Sequence, residues 1–306
     1  MKIIFLVSGG IGKSVAATAV CKAIKTQYPK SELVVLTGYP AVFERNPYIN
    51  YIYGFNNISY FYPQHIEGKD AKLFLHDPYN ETDFIYQRGH LIKVWCEMFG
   101  IKYNGEMPEL YITGQEQAVY GVWFQSPKPL LVIQPSGGTP NKDGSPYSWP
   151  RDMPHAVAQK VVNTFAADYN VIHIRRQDQM PLQNVYPVQA DFRPLVVLLM
   201  MSEKRLLIDS FAQHAAAALR LPSVVCWVAN VPTQFGYDMH TNIMANTPTL
   251  APDYRNSGFS KYNIAGQASE FPYNNDAEIF DADRIIEALR GDKKQAEEES
   301  KKKRRN

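Results

Sequence analysis

The sequence has few cysteines, no long apolar run and little net charge. Cys21, Cys96 and Cys226 form no Cys-x-x-Cys motif and no Cys/His pair at zinc-binding spacing, which argues against a disulfide framework or a structural zinc site. No run of about 18 apolar residues is present, so no transmembrane helix is expected. The apolar start, residues 2–7, lacks a small-residue cleavage site after it. We therefore expect a cytoplasmic protein rather than a secreted one.

The composition is that of a folded protein. The 306 residues are 45% hydrophobic and 20% charged, which excludes disorder for most of the chain and suggests two domains. The net charge is +2, and residues 293–306 carry seven Lys or Arg against three Glu. This basic end is typical of a solvated tail or of a weak tether to nucleic acid or another anionic surface.

Strand-like and helix-like segments alternate along the chain. Apolar runs at 2–7 and 33–36 flank a glycine turn and a segment with apolar residues at helical spacing, which predicts a parallel βαβ unit. After a turn-rich segment at 125–129, further strands are expected at 130–134, 171–174, 206–208 and 223–228. We predict an α/β fold of two facing, doubly wound, Rossmann-like domains with an interdomain cleft. The expected units are an N-terminal domain (1–126), a C-terminal domain (127–290) whose last helix can pack back on the first, and a charged flexible tail (291–306).

A glycine turn, residues 8–14 (SGGIGKS), follows the first strand. Glycines at this place let backbone N–H groups at a helix N-terminus bind an anion. The Walker pattern requires Gly at position 7, where Val stands, and the dinucleotide fingerprint does not fit either. The turn is therefore an anion or acceptor loop, a P-loop-like site, or a simple packing turn. The residues singled out in it are Gly9, Gly10, Gly12, Lys13 and Ser14.

A second candidate motif runs from Asp209 to His214 (DSFAQH) and opens an alanine-rich helix. Asp209 or Ser210 can cap this helix, and its free N–H groups, those of Ser210 and Phe211 included, can bind a diphosphate. His214, one turn in, can donate to a phosphate. The alternative is a capped, buried helix with a satisfied histidine.

Taken together, the two motifs resemble the heptosyltransferase family of glycosyltransferases, family 9. The shared features are the Asp with a His five positions later, the alanine-rich helix with a Leu-Pro-x-Val segment, the GGIG turn, and Asn-Pro-x-Ile at 46–49. The resemblance covers residues 1–245. It implies a GT-B fold that binds the donor mainly in the second domain and the acceptor mainly in the first, with no metal and no other cofactor.

The resemblance implies an inverting transfer of a sugar from a nucleoside-diphosphate sugar to an acceptor hydroxyl. A saccharide is the family's usual acceptor, and a modified base in DNA is the alternative suggested by the basic tail and by the aromatic stretch at 48–63. Carried over by motif, the implied donor-binding residues are Ser136, Gly137, Asp209, Ser210, Phe211, Gln213 and His214.

Other residues are candidates on their own chemistry. Arg175 and Arg176 follow the strand at 171–174 and suit bidentate phosphate contacts, or ion pairs with Asp178 or Asp191. Aromatic residues in 227–237 suit stacking on the donor base or belong to a plain surface loop. The aromatic stretch 48–63 suits sugar or nucleobase stacking, or forms a strand and part of the core.

The glycine turn departs from the family pattern at one position. Where heptosyltransferases have an Asp as the presumed base, this chain has Lys13, and a lysine with the ordinary pKa of about 10.4 is a poor general base. Asp77 and Glu81 are the alternative candidates, although Asp77 before Pro78 also suits turn capping. The family's Lys before a Trp-Pro pair is also missing, and Lys142 is a candidate substitute.

Two other functions stay open from the sequence. A P-loop-like NTPase would use Lys13 and Ser14 with Asp77 as an acidic metal partner. A non-catalytic nucleotide-sugar-binding module would keep the donor fold without the chemistry. The sequence does not indicate the oligomeric state.

Overall fold

The first half of the chain forms a four-stranded parallel sheet. The computed structural model describes residues 1–138, 147–250, 252 and 271–291. The strands are β1 (Lys2–Val7), β2 (Glu32–Thr37), β3 (Tyr51–Gly54) and β4 (Ala71–Phe74), in the order β3-β2-β1-β4. Its helices are α1 (Ile11–Gln27), α2 (Pro40–Phe43), α3 (Phe61–His65), α4 (Thr82–Ile85), α5 (Leu91–Met98) and α6 (Gly114–Gly121). Short 3₁₀ turns lie at Pro78–Asn80 and Val122–Phe124.

The second half forms a six-stranded parallel sheet. Its strands are β5 (Leu130–Ile133), β6 (Asn170–Ile174), β7 (Tyr186–Val188), β8 (Lys204–Ile208), β9 (Val224–Trp227) and β10 (Thr241–Met244), in the order β10-β9-β8-β5-β6-β7. Its helices are α7 (His155–Phe165), α8 (Phe192–Met201), α9 (Phe211–Ala218), α10 (Pro232–Phe235) and α11 (282–291). The two parallel sheets predicted from the sequence are confirmed, as expected for strands joined by helical crossovers.

Apolar side chains form one core that joins the two halves. It includes Phe5 and Trp95 from the first half together with Leu198 and Ala215 from the second. Helices α1 and α9 pack against each other in this core, as do α6 and α8. Within the described chain, no helix is long and apolar enough to cross a membrane.

A second core covers the other face of the second sheet. In it, Ile285 and Leu289 of α11 pack with Val157 and Val161 of α7. The Nζ of Lys204 also donates to the carbonyl oxygen of Leu289. The expectation that the last helix packs back on the first half is therefore wrong for its described residues, since its apolar face is buried on its own sheet.

Candidate functional site

Two helices begin side by side where the halves meet. Helix α1 starts after Gly10 and α9 starts after Ser210, and neither start is capped by the side chain at that position. A Cβ atom placed on Gly12 would lie 2.9 Å from Cδ2 of His214 and 3.4 Å from Cα of Phe211. The two helix starts are thus in van der Waals contact, and their positive dipole ends lie together.

The glycine turn has the shape that this contact requires. Gly9 has a φ of +91°, which favours glycine, and Gly9 and Gly10 are exposed. Ser14 is fully buried, and its hydroxyl donates to the carbonyl oxygen of Gly10 at 3.3 Å. The N–H groups at the start of α1 therefore lie beside an exposed turn. The Ser14 hydroxyl, in contrast, forms a hydrogen bond within the first turn of α1.

Lys13 points beneath the glycine turn. Its side chain is 2% exposed, and its Nζ lies 2.6 Å from Oδ2 of Asp77. The same Nζ lies 4.4 Å from the ring centre of Tyr79 and 5.2 Å from that of Trp95. Burial lowers the pKa of Lys13 below its ordinary value, and the neighbouring Asp77 opposes that shift.

Asp77 ties β4 to the glycine turn. Its Oδ2 accepts a hydrogen bond from the Ser8 hydroxyl at 3.1 Å, and its Oδ1 accepts one from the N–H of Tyr79 at 2.9 Å. Burial raises the pKa of Asp77, but Lys13, the Tyr79 N–H and Ser8 outweigh burial, so the pKa ends below its usual value. Asp77 therefore caps the 3₁₀ turn and also carries a charge beside the helix starts. Glu81 is half-buried at the N-cap position of α4 and does not share this ion pair.

His214 is buried and neutral at the contact between the helix starts. Burial lowers its pKa to about 3, and its Nδ1 lies 2.8 Å from the hydroxyl of Tyr237. Burial also raises the pKa of Tyr237, so its hydroxyl keeps its proton and forms one hydrogen bond with the neutral imidazole. The Nε2 edge of the imidazole faces Gly12.

The residues before His214 differ in part from expectation. The N–H of Ser210 donates to the carbonyl oxygen of Ile208 at 2.7 Å, so the expectation that it is free is wrong. The Ser210 hydroxyl lies 3.3 Å from Nε2 of Gln134 and does not cap α9, and Asp209 accepts a hydrogen bond from Asn230. The side-chain cap predicted from Asp209 or Ser210 is therefore also wrong.

Gln213 has a packing role. It is fully buried, and its Nε2 donates to the carbonyl oxygen of Phe235 at 3.1 Å. Phe211, the first residue of α9, is partly buried and lies against Gly12. Of these two residues, only Phe211 lies at the contact between the helix starts.

The segment after β5 lies against the start of α9. A Cβ atom on Gly137 would lie 2.7 Å from Oγ of Ser210, so Gly137 adjoins the second motif. Asp152 accepts hydrogen bonds from the N–H groups of Gly137 and Ser148, each at 3.0 Å. Burial raises the pKa of Asp152 to about 6. Lys142 lies outside the described residues.

Both arginines after β6 have local partners. Arg176 makes a two-point contact with Asp178, each bond 2.9 Å long, and also donates to the carbonyl oxygen of Gly138. Arg175 donates to the carbonyl oxygen of Gln179 at 2.7 Å. The alternative of an ion pair with Asp178 is thus confirmed, and Arg176 lies next to the segment after β5.

The architecture matches solved glycosyltransferases. A family 9 glycosyl transferase from Veillonella parvula DSM 2008 aligns with a TM-score of 0.65 at 11% identity, over 94% of this chain and 95% of that one. The E. coli ADP-heptose LPS heptosyltransferase II aligns with a TM-score of 0.63 at 12% identity, over 88% and 100%. E. coli heptosyltransferase WaaC with ADP aligns with a TM-score of 0.54 at 9% identity, over 87% and 99%. The fold is GT-B. The similarity to family 9 predicted from the sequence is confirmed in structure, whereas no family model and no curated protein matches the chain.

Within this GT-B fold, two polar residues of the site were missed from the sequence. Tyr237 orients His214 from the connection that follows β9, where the aromatic residues were expected either to stack on a ligand or to form a surface loop. Asp152 bonds the two ends of the segment after β5, and no motif marks it. Among the described residues, no group of three or more His, Cys, Asp and Glu side chains could hold a metal ion.

Proposed function

We propose that the protein is a glycosyltransferase that moves a sugar from a nucleoside-diphosphate sugar to an acceptor hydroxyl. The observation that carries the proposal is the contact of the two helix starts at Gly12 and His214. Two positive helix ends form a site suited to a diphosphate, and the neutral imidazole beside them can donate to it when its proton is on Nε2. The similar structure of WaaC holds ADP, which supports a nucleotide donor for this fold.

The second half holds the donor in this proposal. The front of α9 and the Ser136–Gly137 segment bind the diphosphate, and Arg176 supports that segment through Gly138. As the donor leaves, negative charge develops on the diphosphate, and preorganised N–H donors stabilise it. We propose that this stabilisation makes a metal ion unnecessary, so activity should survive EDTA, and strict metal dependence would count against the mechanism.

Asp77 is the general base in the proposed inverting transfer. The acceptor oxygen bonds to the anomeric carbon from the face opposite the diphosphate, the bond to the diphosphate breaks with its electrons, and the hydroxyl proton passes to Asp77. Lys13, at 2.6 Å, keeps the Asp77 carboxylate ionised. Lys13 thus stands where the family has its Asp, and it stabilises the carboxylate of Asp77 in the segment that follows β4. Glu81 is the alternative base.

The geometry does not favour the P-loop-like NTPase. A P-loop lysine reaches the β- and γ-phosphates of its nucleotide. Lys13 instead lies under the turn, between Asp77 and the rings of Tyr79 and Trp95. We therefore expect no metal-dependent ATPase activity in the wild type, and the Lys13→Ala variant should have none to lose.

Asp209→Ala and His214→Ala should each weaken nucleotide-sugar binding more than tenfold, because each removes a polar group at the front of α9. A thermal-shift screen of nucleotide sugars measures this, since a bound ligand raises apparent stability. Asp283→Ala is a matched control, because this exposed carboxylate on α11 pairs with Lys160 on the far side of the second sheet. Normal donor binding by both site variants would refute the donor site.

Asp77→Asn should lower kcat by about a hundredfold or more, the usual contribution of a general base, with donor binding retained. Glu81→Gln is the matched control and should keep most of the activity. The opposite ranking of the two variants would move the base to Glu81. A wild-type protein that binds the donor but neither transfers nor hydrolyses its sugar would be the non-catalytic module.

A further inference from the structure

We propose that His90 of the first half is a positioning residue for His214 of the second half. His90 directly precedes α5, His214 lies in α9, and residues 232–237, which we name the bridging segment, contact both of them. The inference rests on the proposed function, because the imidazole that His90 positions is the one that faces the proposed donor site.

The hydrogen bonds of His90 determine which of its ring nitrogens carries the proton. The N–H of Ile92 donates to Nδ1 at 3.2 Å, so Nδ1 is an acceptor, and this contact caps the start of α5. Burial lowers the pKa of His90, so the ring is neutral at neutral pH. Its single proton is therefore on Nε2, which donates to the carbonyl oxygen of Gly236 at 3.0 Å. One nitrogen of His90 thus caps a helix, and the other binds the bridging segment.

The bridging segment packs on the first half beside His90. The Nε2 of Gln234 donates to the carbonyl oxygen of Phe84 at 2.7 Å. The ring centres of Phe235 and Phe84 are 5.6 Å apart. Both contacts come from α10, directly before Gly236, so the segment meets His90 as the end of a packed helix.

The residue after Gly236 contacts His214. The hydroxyl of Tyr237 and Nδ1 of His214 are 2.8 Å apart, and their rings are nearly perpendicular, with centres 5.6 Å apart. The ring of His90 also lies 5.5 Å from that of Tyr237, centre to centre. Because the hydrogen bond engages Nδ1, it fixes the ring with its Nε2 edge towards Gly12. His90 therefore acts on the orientation of His214 through Gly236 and Tyr237.

Each half of the molecule binds one of two neighbouring carbonyl oxygens in the bridging segment. Gln213 of α9 donates to the carbonyl oxygen of Phe235 at 3.1 Å, and His90 donates to that of Gly236 at 3.0 Å. Functional side chains need supporting contacts that hold them within a fraction of an ångström. The orientation of His214 thus depends on a hydrogen bond from the first half as well as on its own helix.

Two substitutions separate the two contacts of His90. In His90→Asn, the amide oxygen takes the place of Nδ1 and still caps α5, but no group reaches Gly236. In His90→Gln, the amide nitrogen is as many bonds from the backbone as Nε2 and can donate to Gly236, while the cap is weakened. A role in capping alone predicts that Gln is the more harmful substitution, whereas positioning predicts that Asn is.

The affinity of the full chain for ADP and the ring-nitrogen chemical shifts of His214 measure the effect. His90→Asn should weaken ADP binding about three- to tenfold, the usual value of one hydrogen bond, and should move the His214 signals. His90→Gln should keep both near the wild-type values. His155→Ala is the matched control, because Nε2 of His155 lies 2.9 Å from the carbonyl oxygen of Pro181, a contact within the second half alone.

Tyr237→Phe tests the route from His90 to His214. It should cause a similar loss, and the double variant His90→Asn/Tyr237→Phe should lose no more than Tyr237→Phe alone, because both substitutions break one chain of contacts.

Three results would overturn the proposal: additive losses in the double variant, a greater loss in His90→Gln than in His90→Asn, and unchanged His214 signals in His90→Asn. The chemical shifts are measured without ligand. A wild type that binds no ADP would therefore refute the proposed donor site, while the His214 signals of His90→Asn would still decide whether His90 positions His214.

Discussion

His173 is a buried base whose two ring nitrogens have no hydrogen-bond partner among the described residues. It lies on β6 with 1% of its surface exposed, and burial lowers its pKa to about 4. An unpartnered buried polar group costs free energy, and protonation would add a buried charge. The imidazole therefore remains neutral in the folded protein well below neutral pH.

His173→Leu should make the free energy of unfolding less sensitive to acid. The folded pKa lies below the unfolded value of 6.5, so stability is fully present above pH 6.5 and is lost as the pH falls towards 4. At pH 5 this linkage costs the wild type about 2 kcal/mol that the variant does not lose. Urea unfolding at pH 8 and pH 5 measures the difference, and parallel losses in both proteins would contradict it.

Helices α1 and α9 are built for close approach. Ala212, Ala215 and Ala216 of α9 are fully buried in the core that joins the halves, and α1 contributes Ala16 and Ala19 to it. Small side chains let the helix axes come near, and this proximity allows Gly12 to touch His214. The alanine content of α9 thus serves the geometry of the site as well as helix propensity.

Ala215→Leu should reduce stability by about 1–3 kcal/mol, the usual cost of overpacking a filled core. It should also weaken donor binding, because the starts of α1 and α9 would separate. Ala156→Leu on the exposed side of α7 is the matched control and should change neither property. Urea denaturation with thermal shift in the presence of donor measures both, and an unchanged midpoint would show that the helices are loosely packed.

Elements with a clear local pattern could be predicted from the sequence. β1 and α1 follow from an apolar run, a glycine turn and helical spacing. Helix α8 was missed because it is apolar on nearly every face, so no amphipathic period marks it. The helical residues after β4 form two separate helices, α4 and α5, and Gln87 between them has a φ of +56°.

The site was predictable only where its residues are close in sequence. The glycine turn and the start of α9 are local motifs, and the sequence identified both. Tyr237 is 23 residues from His214, and Asp152 is 15 from Gly137, and tertiary structure alone brings these pairs together. Lys13 of α1 and Asp77 after β4 are 64 residues apart, so the sequence identified both residues as candidates but could not predict their contact.

At the scale of the whole molecule, Arg193 of the second half forms an ion pair and hydrogen bonds with the first half. From α8 it makes a two-point contact with Glu116 of α6, and it also donates to the carbonyl oxygens of Tyr111 and Ala41. Its hydrogen bonds to Glu116 outweigh burial and lower the pKa of that carboxyl to about 2. This contribution to stability is fully present above the unfolded pKa of 4.5 and is lost as the pH falls towards 2.

Arg193→Leu should destabilise the protein by about 3–5 kcal/mol, because it leaves the Glu116 carboxylate without its partner. Arg193→Lys keeps the charge but not the planar fork, so its loss should be smaller yet measurable. The double variant Arg193→Leu/Glu116→Gln should recover part of the loss, since neither charge is then stranded. Calorimetry of the three variants measures these differences. An Arg193→Leu variant as stable as the wild type would show that the contacts of Arg193 do not stabilise the protein.

The continuity of the apolar core limits the relative motion of the two halves. In proteins whose domains meet through a hydrated, polar interface, hinge rotation exposes little apolar surface to water. Here, swinging the halves apart would bare the rings and alanines that both sides bury. Entry and exit of substrates should then depend on rearranging surface connections around a nearly fixed frame.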